Sequence, residues 1–193
     1  VPERMIMQLL FPEGGDCGIT ITANGVDYTY DYDPGDVWKT NNYTALTTTS
    51  LWTAPTTADP FAAFKTVKDA IRSKTGDELT IAIMNTYTFN LMAATNAVKN
   101  RYLTTNGLSL GYLTDAEVKA IVEATSGLRI AIYDKQYKDE SGTAHSFVPN
   151  GYVCLIPAGN LGNTWYGTTP EEADLQGSDS AEVSIVNTGV AIT

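Results

Sequence analysis

Histidine and cysteine, the residue types that most often carry nucleophilic or metal-dependent chemistry, are scarce in this chain. There is one histidine, His145, and there are two cysteines, Cys17 and Cys154. A catalytic triad or a Cys/His pair would have to use His145, which stands in a polar stretch where we expect a solvated imidazole and not an oriented base. A single histidine and two distant cysteines exclude a multi-histidine metal site, a zinc ribbon and a C-x-x-C redox motif. We expect both cysteines to be reduced and packed.

The carboxylates of Asp31, Asp33 and Asp36 invite a calcium-binding interpretation, since hard cations prefer clustered oxygen ligands. The calcium-loop signature is not met, because Gly35 stands where a ligand should be and Asp36 stands where the glycine should be. Asp, Pro and Gly are the residues that tight turns require. The sequence therefore predicts a turn between β-segments at this position.

Neither an acid–base pair nor a phosphate-binding loop can be assigned. Glu171 and Glu172 are adjacent on an expected helical turn, so their side chains diverge and helix capping explains them better than catalysis. The Gly-rich stretch 159–163 lacks both the G-x-G-x-x-G and the Gly-Lys-Thr patterns, and we expect a surface loop there. The sequence predicts no catalytic, cofactor-binding or metal-binding residue and hence no enzyme. The enzyme alternative is a hydrolase that uses carboxylates near Trp165.

The charge balance limits the class of protein further. The 193 residues include 12 Lys and Arg against 22 Asp and Glu, a formal net charge of −10. A free-standing nucleic-acid-binding protein usually has the opposite sign, and no apolar run approaches the roughly 18–20 residues that span a bilayer. Only 18% of the residues are charged, a composition typical of exposed β-structure, long loops and protein–protein surfaces. The length is that of one domain or of two small units that share a core.

The first element expected along the chain is a β-hairpin. Two runs of alternating β-formers, 19–22 and 26–30, flank Asn24 and Gly25, the dipeptide favoured by a type I′ turn. No period is visible from 37 to 57, where we expect an extended arm or loop. The first third of the chain is therefore predicted to consist of strands and loops.

An amphipathic helix over residues 59–76 is the clearest element in the sequence. Asp59 is the expected N-cap, Pro60 fits the first helical position, and Gly76 fits the stop at the C-terminal end. Helical spacing places the apolar residues on one face, namely Phe61, Phe64, Val67, Ala70 and Ile71.

The remaining strands and helices make an α+β pattern. In chain order we expect a buried strand at 79–84, a helix from Asn85 or Thr86 towards Val98, a helix at 114–125 opened by a capping box of Thr114 and Glu117, a strand at 128–133, a polar hairpin-like excursion at 134–146, a buried strand at 152–156, a loop at 160–169, a helical turn at 169–172 and a last strand at 182–192.

Three stretches in this order resemble the major capsid protein of tailed bacteriophages, in particular the lambda-type (gpE-like) family. The first runs from Asp59-Pro60-Phe61 to Gly76 and includes Ala70-Ile71-Arg72. The second is the strand and helix start at 79–91. The third and most specific carries Gly127-Leu128-Arg129-Ile130, Phe147-Val148-Pro149 and Val153-Cys154-Leu155-Ile156, followed by Gly167-Thr168-Thr169-Pro170-Glu171-Glu172. The resemblance covers residues 59–192 and rests on the order of the stretches.

The resemblance implies the tailed-phage major capsid fold, of class α+β. It assigns 1–58 to an extended hairpin loop and strands of a peripheral (P) domain, and 59–76 to the spine helix of that domain. It assigns 77–175 to an axial (A) domain with a central β-sheet, and 176–193 to the start of a return strand of the P domain. Family members are usually longer, and the resemblance implies that this chain is truncated at both ends.

The implied function is structural. The resemblance implies a homo-oligomer whose pentamers and hexamers tile an icosahedral shell, which encloses packaged DNA without sequence-specific binding and has no contact with a membrane. It also implies scaffold, portal and decoration proteins as partners, no cofactor, and a location in the virion, with assembly in the host cytoplasm. The alternatives are a capsid-like nanocompartment shell and a non-catalytic binding module.

Overall fold

A three-stranded sheet lies at the centre of the part of the chain that the structure describes. The computed structural model describes residues 2–12, 17–23, 26–106, 113–138 and 141–159. In chain order the elements are α1 (Pro2–Leu10), β1 (Gly18–Ala23), β2 (Val26–Asp31), α2 (Val37–Asn42), a 3₁₀ helix (Thr48–Ser50), α3 (Pro60–Thr75), β3 (Leu79–Met84), α4 (Thr86–Ala94), α5 (Asn96–Asn106), α6 (Asp115–Ser126), β4 (Arg129–Ile132), β5 (Gln136–Lys138), β6 (Ala144–Ser146) and β7 (Cys154–Pro157). The α+β class predicted from the sequence is confirmed.

Strand β3 is the middle strand of the central sheet. It pairs in parallel with β4, with Ala82 opposite Ile130, and antiparallel with β7, with Ala82 opposite Leu155. The parallel pairing requires a crossover, which α4, α5 and α6 supply. The sequence predicted a buried strand at 152–156, but β7 is only half-buried along its length because it lies at the edge of the sheet.

The sheet separates two hydrophobic clusters, because successive side chains of a strand point to opposite faces. The larger cluster joins Ala82, Met84 and Ile130 to apolar side chains of helices α3 to α6, among them Phe64, Phe89, Met92, Val98, Val118 and Val122. The smaller cluster lies on the opposite face of the sheet, where Ile83 and Cys154 point. Its buried side chains are Met7, Phe11, Phe147 and Val148.

Helix α1 covers the smaller cluster. Polar contacts at its N-terminal end hold it in this position. Glu3 accepts a hydrogen bond from Lys135 Nζ at 2.5 Å and another from the Tyr133 hydroxyl. The Arg4 guanidinium lies 4.5 Å from the centre of the Tyr137 ring. All of these partners are distant in sequence, so the position of α1 depends on tertiary contacts.

Helix α3 has the boundaries that its sequence predicted. The Asp59 carboxylate accepts hydrogen bonds from the backbone N–H groups of Phe61 and Ala62, and Gly76 ends the helix with φ of 79°. On the face turned towards α6, Lys68 Nζ donates to the Ser126 carbonyl at 3.0 Å and pairs with Glu78 at 3.1 Å.

One detail of the predicted α3 face is wrong. Phe64 is buried, and Phe61, Val67 and Ile71 are partly buried, but Ala70 is exposed. Ile71, the next residue, still packs against the larger cluster, so Ala70 lies to one side of the apolar face.

The single helix predicted from Asn85 towards Val98 is two helices. Thr95 separates α4 from α5 in an extended conformation, with φ of −67° and ψ of 144°. Its side chain is fully buried, and its hydroxyl donates to the Met92 carbonyl at 2.7 Å. This hydrogen bond satisfies a carbonyl at the end of α4, so the break costs little and redirects the chain.

The prediction that the first third contains only strands and loops is wrong at two places, because α1 and α2 are helices. The predicted hairpin is confirmed: β1 and β2 pair antiparallel, with Ile19 opposite Tyr30. The turn residues Asn24 and Gly25 lie outside the described residues, as do the loop, helical turn and last strand predicted beyond 160. Within the described part of the chain, no helix has the length and apolar character needed to cross a membrane.

Candidate functional site

His145 lies where the sequence placed it, exposed on the β5–β6 hairpin. Its ring stacks on the ring of Tyr137, with 5.3 Å between centroids and 23° between planes. A solvated, stacked imidazole in a short hairpin fits the expectation of a surface histidine and lacks the burial that a general base usually needs.

The two cysteines are both free thiols, as predicted. Cys17 is buried beside the start of β1, and Cys154 is half-buried in β7. Burial raises the pKa of the Cys154 thiol to about 11. Because the thiolate is the nucleophile, Cys154 is protonated and unreactive at neutral pH.

The aspartates at 31–36 form a turn, but the predicted turn between two β-segments is wrong in one respect, because the helix α2 follows it. Asp33 accepts hydrogen bonds from the backbone N–H groups of Lys39 at 2.8 Å and Trp38 at 2.9 Å. Asp31 accepts from the Asp33 backbone N–H at 2.9 Å, and Asp36 pairs with Lys39 at 3.6 Å. These carboxylates accept hydrogen bonds from backbone N–H groups or pair with one lysine. Among the described residues, no group of three or more His, Cys, Asp or Glu side chains could hold a metal ion.

Beside this turn lies an exposed apolar surface, here named the aromatic patch. Its members follow one another along the end of β2, the turn and α2, and they are Tyr30, Tyr32, Val37, Trp38 and Tyr43. Helix α2 has no buried residue. Large apolar side chains clustered on a surface in this way mark a site for contact with another molecule.

The backbone beneath the aromatic patch is held in place at both ends of α2. Asp33 caps the N-terminal end through the hydrogen bonds to Trp38 and Lys39. At the other end Lys74, from the last turn of α3, donates to the Asn41 carbonyl at 2.6 Å. The patch is therefore presented on a positioned backbone although α2 is short and lies outside the core.

An apolar groove of about 540 Å³ begins at the same place. Tyr43 belongs to the patch and also lines the groove, where its ring lies 6.3 Å from that of Tyr152. Further in, Trp52 meets Phe64 edge to face at 5.7 Å. Tyr43 is thus the member of the aromatic patch that also lines the groove.

The charges are distributed unevenly around this surface. Residues 17–43 carry four Asp and one Lys, whereas ten of the twelve Lys and Arg residues of the chain lie between 59 and 138. The range 59–138 also carries eight Asp and Glu, so it is close to neutral, whereas the segment that bears the aromatic patch is acidic.

The capping of α2 is predicted to weaken on acidification. Hydrogen bonds from the N–H groups of Lys39 and Trp38 hold the pKa of Asp33 below its usual value of 3.8. A carboxyl whose pKa is lower in the folded state stabilises that state above the unfolded pKa, and this stabilisation is lost as the pH falls through the folded pKa. Amide hydrogen exchange should show protection factors at Trp38 and Lys39 that fall as the pH is lowered through and below 3.8.

The amide of Gly127, which donates to the Glu123 carbonyl at 2.9 Å, is the internal control and should keep its protection. In an Asp33→Asn variant the two amides should be less protected at neutral pH and should lose the pH dependence. Unchanged protection of both amides in that variant would exclude Asp33 as the cap.

The aromatic patch was not found in the sequence. Val37 and Trp38 stand in a Thr- and Asn-rich stretch without a period, and the only local signal was an apolar pair directly after a turn. Whether such a pair is buried depends on what the rest of the fold brings near it, which no local pattern contains.

Comparison with known proteins gives one match over most of the chain. The family model described as phage major capsid protein E matches residues 2–183. A search of curated proteins found no match. Among solved structures, a phage-related protein from Bordetella bronchiseptica RB50 is similar, with a TM-score of 0.48 and 16% identity over 62% of this chain and 36% of that one. The chain spans little more than a third of the length of that protein.

Proposed function

Because the chain belongs to the phage major capsid protein E family, we propose that it is a structural subunit of a bacteriophage or prophage head. Copies of the chain assemble into pentamers and hexamers, and these tile an icosahedral shell that encloses DNA. The single observation that carries this proposal is the family match over residues 2–183.

The proposed domain layout follows the family resemblance. The hairpin of β1 and β2 belongs to an extended loop or to the strands at its base, and residues 59–76 form the spine helix of a peripheral domain. Residues 77–175, with the central sheet, form an axial domain, and 176–193 begin a return strand. The sheet of β3, β4 and β7 with its helical crossover supports this layout.

The charge of the chain supports a shell that encloses DNA without reading it. A formal net charge of −10 repels the phosphate backbone, so the subunit gains no general affinity for DNA. The assembly is then held together by contacts between subunits. Closed symmetry repeats each weak contact many times, and the sum of these contacts is a stable shell. Scaffold, portal and decoration proteins are the further partners, with assembly in the host cytoplasm and the finished subunit in the virion.

Electron microscopy tests this proposal directly. The gene product, expressed with the scaffold and protease genes of the same phage or prophage, should form closed particles of uniform size in negative stain. Nuclease-treated particles from infected or induced cells should retain protected DNA. Monomers under every salt and scaffold condition would overturn the proposal and favour a binding module. Closed particles that enclose protein cargo and no DNA would instead indicate a nanocompartment.

A further inference from the structure

We propose that Asn150 and Gly151 form a site of spontaneous covalent modification, at which the side-chain amide of Asn150 is lost as ammonia. Hydrogen bonds from this pair to Asn85 and Thr88 hold the reaction back. The rate of modification therefore follows the opening of the junction between β3, α4 and residues 148–151. The site does not depend on the proposed function.

The reaction is an attack of the backbone on the neighbouring side chain. Glycine has no Cβ, so the Gly151 nitrogen can approach the Asn150 side chain with little hindrance. This nitrogen forms a bond to Asn150 Cγ, and the side-chain amide leaves as ammonia with the proton that the nitrogen gives up. Water then opens the five-membered succinimide ring at either carbonyl, which leaves aspartate or isoaspartate at position 150. Because the reacting groups are adjacent in one chain, water is the only co-reactant.

Asn150 and Gly151 are exposed to the water that the second step requires. They are the central residues of a turn in which the Tyr152 backbone N–H donates to the Pro149 carbonyl at 3.4 Å. Gly151 has φ of 82°, which such a turn requires at this position. Burial therefore does not protect the pair, and protection has to come from hydrogen bonds.

Two hydrogen bonds hold the reacting atoms apart. The Gly151 backbone N–H donates to the Thr88 hydroxyl oxygen at 2.9 Å, and Asn150 Oδ1 accepts from the Asn85 side-chain nitrogen at 2.7 Å. Ring closure needs the first group to lose its proton and the second to rotate towards it, so both bonds must break. Asn85 is 4% exposed and Thr88 is 1% exposed, so neither partner can follow the turn outwards. The reaction has to wait until the junction opens locally.

The modification makes that opening irreversible when isoaspartate forms. In isoaspartate the main chain runs through the former side chain and is one carbon longer, which displaces Gly151 from Thr88. The Asn85 side-chain nitrogen also loses the Asn150 amide oxygen as its acceptor. Both products add a negative charge at position 150. The site is therefore a covalent record of how often the junction has opened.

The first test compares the folded and the denatured full-length chain by mass spectrometry of the peptide that contains Asn150. The chain has two further Asn-Gly dipeptides, at 24–25 and 106–107, and all three should react at similar rates in denaturant. In the folded protein, Asn150 should react at least about tenfold more slowly than in denaturant, as expected when a hydrogen bond to a buried group must break. An equal or faster rate in the folded protein would overturn the inference.

The second test removes one of the two hydrogen bonds. Thr88→Val keeps the shape of the side chain but lacks the acceptor, so modification of Asn150 should accelerate about tenfold. Thr86→Val is the matched control in the same turn of α4, because Thr86 is exposed and its hydroxyl bonds to Asp134 instead. Its rate should stay within about twofold of the unmodified protein. Equal rates in the two variants would exclude Thr88 as the group that restrains the reaction.

Amide hydrogen exchange of the unmodified protein supplies an independent measurement if Thr88→Val does not fold. Exchange at Gly151 and modification of Asn150 both require the hydrogen bond to Thr88 to open. The protection factor of the Gly151 amide should therefore match the factor by which folding slows the modification. An unprotected Gly151 amide would show that this hydrogen bond does not restrain the site, and the inference would be wrong.

Discussion

Asn85→Ala is expected to lower the free energy of unfolding by about 3 kcal/mol, from the loss of a helix cap together with stranded buried polar groups. Asn85 is buried at the junction of β3 and α4. Its side-chain oxygen accepts hydrogen bonds from the Thr88 backbone N–H at 2.8 Å and the Thr88 hydroxyl at 2.7 Å. Asn85 therefore caps α4 at Thr88, while Asp134 accepts from the backbone N–H of Thr86, the first residue of the helix, at 2.7 Å.

The side-chain nitrogen of Asn85 donates two further hydrogen bonds at this junction. It donates to the Val148 carbonyl at 3.1 Å and to Asn150 Oδ1 at 2.7 Å. The Thr88 hydroxyl extends the network by accepting from the Gly151 backbone N–H at 2.9 Å. One amide thus ties the end of the central strand to residues 148–151, and alanine would leave both partners without their hydrogen bonds.

Urea unfolding followed by circular dichroism measures the effect. Asn96→Ala is the matched control, since Asn96 begins the next helix but is exposed, and it should change stability by no more than about 0.5 kcal/mol. Asn150→Ala removes one arm of the network and should cost about 1 kcal/mol. Equal stabilities of the Asn85 and Asn96 variants would refute the assigned role.

Phe11→Ala is expected to free α1 from the sheet and to expose Cys154. Phe11 is buried with Met7 and Phe147, and Cys154 packs against the same cluster. Removing a buried phenylalanine side chain costs about 3 kcal/mol, which corresponds to roughly a hundredfold increase in local opening. A helix of nine residues is not stable by itself, so α1 should unfold as it leaves.

Alkylation of the two thiols, followed by mass spectrometry of each cysteine peptide, measures this opening. Labelling of Cys154 should accelerate on the order of a hundredfold, if the opening equilibrium sets the rate. Ile6→Ala is the control on the same helix, because Ile6 is 50% exposed and should leave the rate unchanged. A rate for Phe11→Ala equal to that of the control would show that α1 does not cover Cys154.

The helices predicted correctly are those whose ends are specified by capping residues close to them in the sequence. Helix α3 has Asp59 and Pro60 at its start, and α6 has the reciprocal hydrogen bonds of Thr114 and Glu117. These signals act over three or four residues and need no other part of the fold. Their positions could be read without the structure.

The missed elements depend on contacts that no local hydrophobic period shows. Helix α1 is held by Tyr133, Lys135 and Phe147, more than a hundred residues away, and α2 is capped by Asp33, which the sequence assigned only to a turn. The exposure of Trp38 could not be predicted locally either, because it depends on which other elements cover α2, and no residue of α2 is buried. The turn at the candidate site was therefore predictable, and the patch beside it was not.

The central position of β3 has a consequence for synthesis on the ribosome. Its neighbours in the sheet come much later in the chain, since β4 begins at Arg129 and β7 at Cys154. At roughly 5–20 residues per second, β3 waits ~2–10 s for its first neighbour and longer for its second. During that interval both edges of an apolar strand can pair with any other strand, including the same strand on an adjacent nascent chain. Slow translation should therefore increase aggregation of this protein. Helices α4 to α6 are synthesised during the same interval, and they shield the strand as they emerge.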